Sequence, residues 1–230
     1  MTAPAASSMP ESTELVLADP QVTADLRTFV VRARAADDGA VRLQAVGSVL
    51  AAYVCVLRPR ALGEDTPTVL GMRTMPLAVP ARLDTAVSLA SVADRLARMG
   101  ETETVLPVPP MTVTESWTGV GAPRSGWERS DDVPFKLLEQ AAHRGIREVA
   151  ALVPASSGAP VVQTARGAVW GQQLPDVAAA IPAGAAFAAL TLGFLPGESD
   201  GEAAVFRCGR WTRLSMPRGH VLIRSASVLS

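Results

Sequence analysis

The chain has 230 residues and a formal net charge of −1, with 48% hydrophobic and only 19% charged residues. This length can hold one large domain or two small ones with a proper core, and the near-neutral charge excludes a general attraction to nucleic acid or to anionic membranes. The charged fraction is below the usual value of about 25%, which indicates either a large core or an apolar surface that another subunit covers.

The first 18 residues are rich in Ala, Ser, Pro and Thr, and they lack both a positively charged start and an apolar run. Residues 1–18 are therefore predicted to be a flexible tail and not a secretory signal, which implies a cytoplasmic protein. The two cysteines, Cys55 and Cys208, lie far apart in apolar runs. They are predicted to be buried thiols, and no metal site is expected from them.

Residues 19–100 are predicted to form an α+β N-terminal half that begins with a helix. Asp19 is suited to cap this helix, Pro20 to occupy its first turn, and Gly39 lies just past its end. Three strand-like runs follow, at 41–46, 49–57 and 68–78, with a turn expected at Gly47-Ser48. A second helix is predicted over 85–99, with Asp84 as its cap and Gly100 at its end.

Residues 101–130 are rich in Pro, Gly, Ser and Thr and contain Trp117 and Trp127. They form either a linker between two halves or an ordered loop. Two large aromatic side chains in such a segment favour a loop that packs on the protein.

Residues 131–230 are predicted to form an α+β C-terminal half. A third helix is expected to start near Pro134 with Asp132 as its cap, and a short hairpin is expected around Arg166-Gly167. The uncharged, alanine-rich run 177–197 is long enough to cross a bilayer. Pro182 and Gly184 interrupt it and its flanks are acidic, so we predict a buried helix and no membrane span.

The final segment, 203–230, carries five arginines, one histidine, one tryptophan and no acidic residue. It is predicted to form a three-stranded meander over 203–208, 211–216 and 220–224, with turns at Gly209-Arg210 and at Pro217 to Gly219. Alternation of side chains then puts Ala204, Phe206 and Cys208 toward the core. The opposite face is predicted to gather Arg207, Trp211, Arg213, His220 and Arg224.

A basic face with an aromatic residue suits an acidic protein segment or a phosphorylated ligand, since guanidinium groups pair with carboxylates and phosphates. It also suits single-stranded nucleic acid, whose bases stack on aromatic rings. The alternative is an ordinary solvated sheet face, because one aromatic residue is fewer than nucleic-acid platforms usually carry. Trp117 and Trp127 are added to the predicted binding residues because their loop is expected to pack on the protein.

No catalytic motif is found in the sequence. His143 and His220 are the only histidines, and a Ser-His-Asp site would need Ser156 or Ser157 in a run that is typical of a turn. Phosphate-binding loops, dinucleotide fingerprints and HExxH motifs are absent from the sequence, so no cofactor and no metal are predicted. A site built from carboxylates alone leaves no spacing signature, which keeps an enzyme open as an alternative.

Four stretches resemble an uncharacterised family of actinobacterial proteins. They are the early helix leading into GAVRLQAVG, the segment VLGMRTMPL, the run AGAAFAALTLGFL and the ending GRWTRLSMPRGHVLIR. The resemblance implies a cytoplasmic protein without a signal peptide and supplies no activity.

Together these observations predict an α+β fold with antiparallel sheets in two halves and packed helices, and faintly a repeat, because Asp38-Gly39 and Asp200-Gly201 each precede a strand-like region. The predicted function is that of a non-catalytic binding or scaffold protein which uses the basic C-terminal face to bind an acidic protein segment. Nucleic-acid binding through the same face and an enzyme acting on a small acidic or phosphorylated substrate are the alternatives. A protein partner or self-association as a dimer is expected.

Overall fold

A computed structural model of the chain describes residues 11–61, 63–119, 121–154, 157–175, 177, 179–197 and 200–226. The strands are β1 (Glu14–Val16), β2 (Ala40–Leu57), β3 (Thr68–Ser88), β4 (Val105–Pro107), β5 (Glu128–Pro134), β6 (Glu202–Cys208), β7 (Trp211–Met216) and β8 (Gly219–Arg224). The helices are α1 (Pro20–Ala36), α2 (Leu89–Arg98), α3 (Phe135–Leu152), α4 (Ala159–Trp170) and α5 (Ala183–Thr191), with a short 3₁₀ turn at Ser116–Gly119.

A six-stranded antiparallel sheet with the strand order β2-β3-β8-β7-β6-β5 forms the centre of the fold. Its N-terminal strands β2 and β3 join the C-terminal strands through the pairing of β3 with β8, in which Thr68 lies opposite Arg224 and Met72 opposite His220. Strands β1 and β4 form a separate two-stranded antiparallel ribbon. The α+β fold with antiparallel strands and packed helices in both halves is thus confirmed.

The main core lies between one face of the sheet and the helices. Leu26 of α1, Leu138 of α3, Leu214 of β7 and Val221 of β8 are all fully buried in it. Helix α5 packs on α3 and on the sheet, and its small side chains permit a close approach. The low fraction of charged residues is explained at least in part by this large core.

The N-terminal half differs from the sequence prediction in its first strand and at Gly47-Ser48. Leu15 and Leu17, inside the predicted tail of residues 1–18, are fully buried, and β1 pairs with β4. Residues 1–10 of that tail lie outside the described residues. Gly47-Ser48 is not a turn: β2 continues through it as a bulge, where Gly47 adopts a positive φ of 60°.

Helix α2 begins at Leu89, and the predicted start at residue 85 with Asp84 as the cap is wrong. The four preceding residues pair with β2, so the hydrogen bonds of the sheet hold them extended. Ser88 is the actual cap, since its hydroxyl accepts a hydrogen bond from the backbone N–H of Ser91 at 3.1 Å. The apolar side of the predicted helix, which includes Val92 and Leu96, is buried as expected.

The C-terminal half also contains corrections. Helix α3 starts after Pro134 without a side-chain cap, because Asp132 lies in β5 opposite Ala204. The predicted hairpin around Arg166-Gly167 is wrong, since both residues lie inside α4. The alanine-rich helix is shorter than predicted because Pro182 precedes it and Gly193 follows it with a positive φ of 72°. No helix among the described residues is long and apolar enough to cross a membrane.

Both Asp-Gly pairs stand where the predicted repeat requires them. Asp38-Gly39 directly precedes β2, and Asp200-Gly201 directly precedes β6. In each half, an Asp-Gly pair thus stands directly before an antiparallel strand. Between the halves, the segment around Trp117 and Trp127 packs on the face of the sheet that points away from the helices, as the two aromatic residues predicted.

Candidate binding groove

Strand register defines three rows of residues on the sheet face that points away from the helices, here called the outer face. Within each row the side chains lie directly opposite one another on β6, β7, β8 and β3. The rows are Cys208–Trp211–Arg224–Thr68, Phe206–Arg213–Leu222–Leu70 and Ala204–Ser215–His220–Met72.

The predicted faces of β7 and β8 are correct, but those of β6 are inverted. Gly209-Arg210 is a two-residue turn, so Cys208 and Trp211 on either side of it are cross-strand partners and share one face. Val205 consequently lies in the core, and Arg207 lies on the helix side of the sheet, where it is exposed. Four of the five predicted strand residues therefore share the outer face, and Arg207 is separated from them.

The loop between the halves covers Arg213. Its guanidinium carbon lies 4.7 Å from the centroid of the Trp127 ring and 4.6 Å from that of Phe206, a geometry typical of cation–π contacts. The buried Nε of Arg213 has no hydrogen-bond partner among the described residues. Burial lowers the pKa of this guanidinium. The outer face at this position is a packed cluster and not an open platform.

His220 is also partly buried. Its Nδ1 lies 3.0 Å from the hydroxyl oxygen of Ser215, its neighbour in the third row. Burial and, secondarily, the positive charge of Arg213 lower the pKa of His220. The neutral imidazole is therefore the favoured form at this site.

The three tryptophans of the prediction lie in one apolar cluster on the outer face. Trp117 and Trp211 are buried, and Trp127 packs against the cluster and donates its indole N–H to the carbonyl oxygen of Pro123 at 2.9 Å. The 3₁₀ turn Ser116–Gly119 carries Trp117 to the end of the sheet at which the first row lies. Loop and sheet thus build one surface together.

An open cavity of about 410 Å³ lies at this end of the sheet, and we call it the tryptophan groove. Trp117, Trp211 and Arg224 line it, which brings together three of the seven predicted residues. The remaining lining residues come from the chain that leaves β2 and from nearby positions: Arg58, Pro59, Arg60, Ala61, Thr68 and Ser116. Among the described residues that line the groove, none carries a carboxylate.

The groove is positively charged. Arg58 is shared by two carboxylates at its edge, with Glu115 at 3.3 Å and Asp37 at 3.8 Å. Within the described part of the chain, no ion pair within 4.0 Å involves Arg60 or Arg224. Arg58 and Arg60 were not among the predicted binding residues, although two arginines close behind the apolar strand 49–57 were a usable signal.

A second cavity, of about 280 Å³, lies on the other side of Trp117 and is lined by Arg42, Tyr53 and Asp84. Arg42 donates two hydrogen bonds to the Asp84 carboxylate, at 2.7 and 2.8 Å, and this contact lowers the pKa of Asp84. A general acid requires the opposite shift. The pair therefore adds no support to the enzyme alternative.

In the described part of the chain, no hydrogen bond joins Ser157 to either histidine. His143 is exposed on α3 and lies 4.0 Å from the Glu139 carboxylate. Ser157 lies in the connection that leads to α4, and Ser156 lies outside the described residues. Among the residues that the structure describes, no group of three or more His, Cys, Asp or Glu side chains could hold a metal ion.

Two family models match different parts of the chain. Residues 10–118 match a domain of unknown function (DUF8010), and residues 122–228 match another domain of unknown function (DUF8185). No curated protein matches the chain.

Solved structures with a similar fold include a putative DNA polymerase III beta subunit from Eubacterium rectale ATCC 33656. Its TM-score is 0.53 at 7% identity, and the match covers 95% of this chain and 66% of that one. The beta subunit of DNA polymerase from Streptococcus pyogenes gives a TM-score of 0.50 at 7% identity, with coverages of 94% and 65%. The chain thus spans slightly less than two thirds of the length of these proteins, and at this identity the likeness concerns the fold alone.

Proposed function

We propose that this protein is a non-catalytic binding scaffold which holds an acidic segment of a partner protein in the tryptophan groove. The observation that carries this proposal is the lining of the groove, in which two tryptophans stand beside three arginines without a carboxylate. The proposal keeps the predicted role of Trp117, Trp211 and Arg224. It moves the centre of binding from the middle of the sheet to its end.

The chemistry of the groove matches that of protein interfaces. Tryptophan and arginine are the residues that most often dominate binding energy, because rings provide apolar contact area and guanidinium groups form paired hydrogen bonds to carboxylates. Arg60 and Arg224 are the cations best placed to receive a carboxylate, since neither takes part in a described ion pair. A segment with an apolar side chain next to acidic residues would use both features.

Arg207, Arg213, His220 and Trp127 have different positions in this proposal. Arg213 and Trp127 support the loop that carries Trp117. His220 lies on the outer face beside the hydroxyl of Ser215. Arg207 lies on the helix side of the sheet and is left as a candidate for a separate contact. Their predicted roles in binding stay untested.

The test is a pull-down of the tagged protein from its own lysate, with and without nuclease, read by mass spectrometry. The wild type is compared with Arg60→Glu, and with Arg98→Glu as the matched control, because each substitution exchanges one positive charge for one negative charge. Arg98 is an exposed arginine at the end of α2 and does not line the groove. We expect a protein that the wild type and Arg98→Glu retain after nuclease and that the groove variant loses.

Two outcomes would contradict the proposal. If the groove variant retains every partner of the wild type, the groove is not the binding site. If Arg98→Glu loses the same partner, the interaction depends on overall charge and not on the groove. Equal melting temperatures of the three proteins are required for either conclusion.

Nucleic-acid binding is the second candidate, and the fold it shares with DNA polymerase III beta subunits favours it. Exposed cations on α3 offer a further surface for phosphates, namely Lys136, Arg144 and Arg147. Phosphate binding releases counterions, so the affinity would fall steeply with salt. Loss of all co-purifying protein upon nuclease treatment would move this candidate to first place.

The cellular location, the family and the self-association that we propose are those that the sequence predicted. We place the protein in the cytoplasm, in the uncharacterised actinobacterial family that its sequence resembles, and we expect it to self-associate. Size-exclusion chromatography with light scattering tests the last point. A concentration-independent monomer would contradict it.

A further inference from the structure

A small cavity of about 120 Å³ lies against Arg58 and Arg60, and we call it the arginine cavity. Arg166 and Gln163 of α4 face the same space, and the acidic residues Asp37 and Glu64 also line it. The cavity is only a few times larger than the ~30 Å³ that one water molecule takes in the liquid. It can hold a compact group of a few heavy atoms, but it is too small for a larger ligand.

Arg166 is held rigidly in this cavity. One of its terminal nitrogens donates a hydrogen bond to the carbonyl oxygen of Ala36 at 3.2 Å, and its guanidinium carbon lies 5.4 Å from the centroid of the Phe187 ring. Burial lowers the pKa of this guanidinium. Within the described residues no ion pair involves Arg166, so its charge is only partly compensated.

The two acidic residues are engaged elsewhere. The Glu64 carboxylate accepts hydrogen bonds from the backbone N–H groups of Arg60 and Ala61, at 2.7 and 3.3 Å, and from the hydroxyl of Thr66 at 2.6 Å. Asp37 lies 3.8 Å from Arg58, which also contacts Glu115. Neither carboxylate forms an ion pair with Arg60 or Arg166, so a compact anion can compete for both guanidinium groups.

A phosphate monoester fits this arrangement best. It carries up to two negative charges and three acceptor oxygens, and guanidinium groups bind it through paired hydrogen bonds. The amide N–H₂ of Gln163 supplies a further donor. A carboxylate with one charge would compensate Arg60 and Arg166, the two cavity arginines without an ion pair among the described residues, less completely.

Arg58 and Arg60 line both the arginine cavity and the tryptophan groove. The two spaces are therefore neighbours that share a wall of two arginines. We propose, building on the function proposed above, that the acidic segment bound in the groove carries a phosphoserine or phosphothreonine whose phosphate enters the arginine cavity. Phosphorylation of the partner would then control its capture.

The test uses synthetic acidic peptides with one leucine, in which a serine or a phosphoserine stands at successive distances from the leucine. Affinities are measured by fluorescence anisotropy for the wild type, for Gln163→Glu and for Gln140→Glu. Gln163→Glu places a carboxylate in the cavity, whereas Gln140 is an exposed glutamine on α3 and serves as the matched control. Both substitutions exchange one good helix former for another.

We expect at least one phosphopeptide to bind the wild type and Gln140→Glu about tenfold more tightly than its serine form, which is a typical gain from a charged hydrogen-bonded pair. In Gln163→Glu the gain falls below about twofold, while the serine peptide binds as before. Equal affinities of serine and phosphoserine peptides for the wild type would overturn the inference and leave the proposed function intact. A gain that persists unchanged in Gln163→Glu would overturn it as well.

Inorganic phosphate separates the remaining cases. If it binds the wild type as tightly as the phosphopeptide does, the ligand is free phosphate and the docking of a phosphorylated segment is wrong. If no peptide binds in either form, the proposed function fails. In that case, the ³¹P NMR signal of inorganic phosphate is recorded with the wild type and with Gln163→Glu. Line broadening that the wild type causes and Gln163→Glu does not would show that the cavity holds phosphate.

Discussion

The guanidinium carbon of Arg213 lies 4.7 Å from the centroid of the Trp127 ring, so a basic residue of the sheet and a tryptophan of the loop hold each other in place. This contact joins the loop between the halves to the C-terminal half on the outer face. It explains why the central arginine of the predicted basic face is packed instead of solvated. A charge reversal at Arg213 would therefore report on folding, whereas Arg60 and Arg224 report on the groove.

The contact predicts a specific loss of stability. We expect Arg213→Ala to lower the free energy of unfolding by about 1–2 kcal/mol, because it removes both the cation–π contacts and the apolar stem packed between the rings. Arg207→Ala, on the exposed helix side of the same sheet, should stay within about 0.5 kcal/mol of the wild type. Urea unfolding followed by tryptophan fluorescence measures both, and equal effects of the two substitutions would contradict the packed geometry.

His220 predicts a dependence of stability on pH. Its pKa in the folded protein lies below the ordinary value of 6.5, first because of burial and second because of Arg213. As pH falls below 6.5, the unfolded chain binds a proton at this residue before the folded chain does, so stability decreases. The contribution of the neutral imidazole is complete above pH 6.5 and is lost as pH falls toward the lowered pKa.

Chemical denaturation between pH 7.5 and 5.5 measures this effect. We expect the wild type to lose more stability over that interval than His220→Gln, which cannot take up the proton. His143→Gln is the matched control because His143 is exposed on α3. If His220→Gln shows the same pH dependence as the wild type, the imidazole is not held in its neutral form.

The two cysteines are predicted to differ in reactivity. Burial raises the pKa of the Cys55 thiol to about 12, so at pH 8 roughly one molecule in ten thousand carries the reactive thiolate at this position. Cys208 is partly exposed at the end of β6. Iodoacetamide should modify Cys208 in the native protein and Cys55 only after unfolding, as peptide mass spectrometry would show; rapid native labelling of Cys55 would contradict its burial.

The sequence allowed the fold class and the order of strands in the C-terminal meander to be predicted, because Gly209-Arg210 and Pro217 to Gly219 are recognisable turns. It did not reveal the full length of β2 and β3. Gly47-Ser48 has the composition of a turn, and only the pairing of β2 with β3 on both sides of it makes it a bulge. Local composition carries no information about that partner.

The groove was partly predictable. Trp117, Trp211 and Arg224 were chosen from the sequence for their chemistry, and they line one cavity. Arg58 lies beside them because β2 pairs with β3 and ends at the same end of the sheet, directly before Arg58. Arg207 was predicted on the wrong face because the apolar residues of β6 were assigned to the core. The two-residue turn alone defines which side chains of β6 and β7 share a face.

The close contact of Gly145 with Trp170 gives the sharpest prediction about packing. A Cβ at residue 145 would lie 2.2 Å from the Trp170 ring, which is buried and stacked on Phe187 at 4.5 Å, so the ring has little room to move. We expect Gly145→Ala to destabilise the protein by about 1–3 kcal/mol, although alanine favours a helix.

The control for this prediction is Gly167→Ala in α4, where a Cβ would meet no atom within 4 Å. There the helix preference acts alone, and the same exchange should raise the free energy of unfolding by about 0.5–1 kcal/mol. If the same Gly→Ala exchange lowers the free energy of unfolding in α3 and raises it in α4, the loss in α3 comes from packing against Trp170 and not from backbone entropy. Thermal and urea unfolding of both variants decide the matter: stabilisation by Gly145→Ala would mean that α3 and Trp170 do not pack as closely as described.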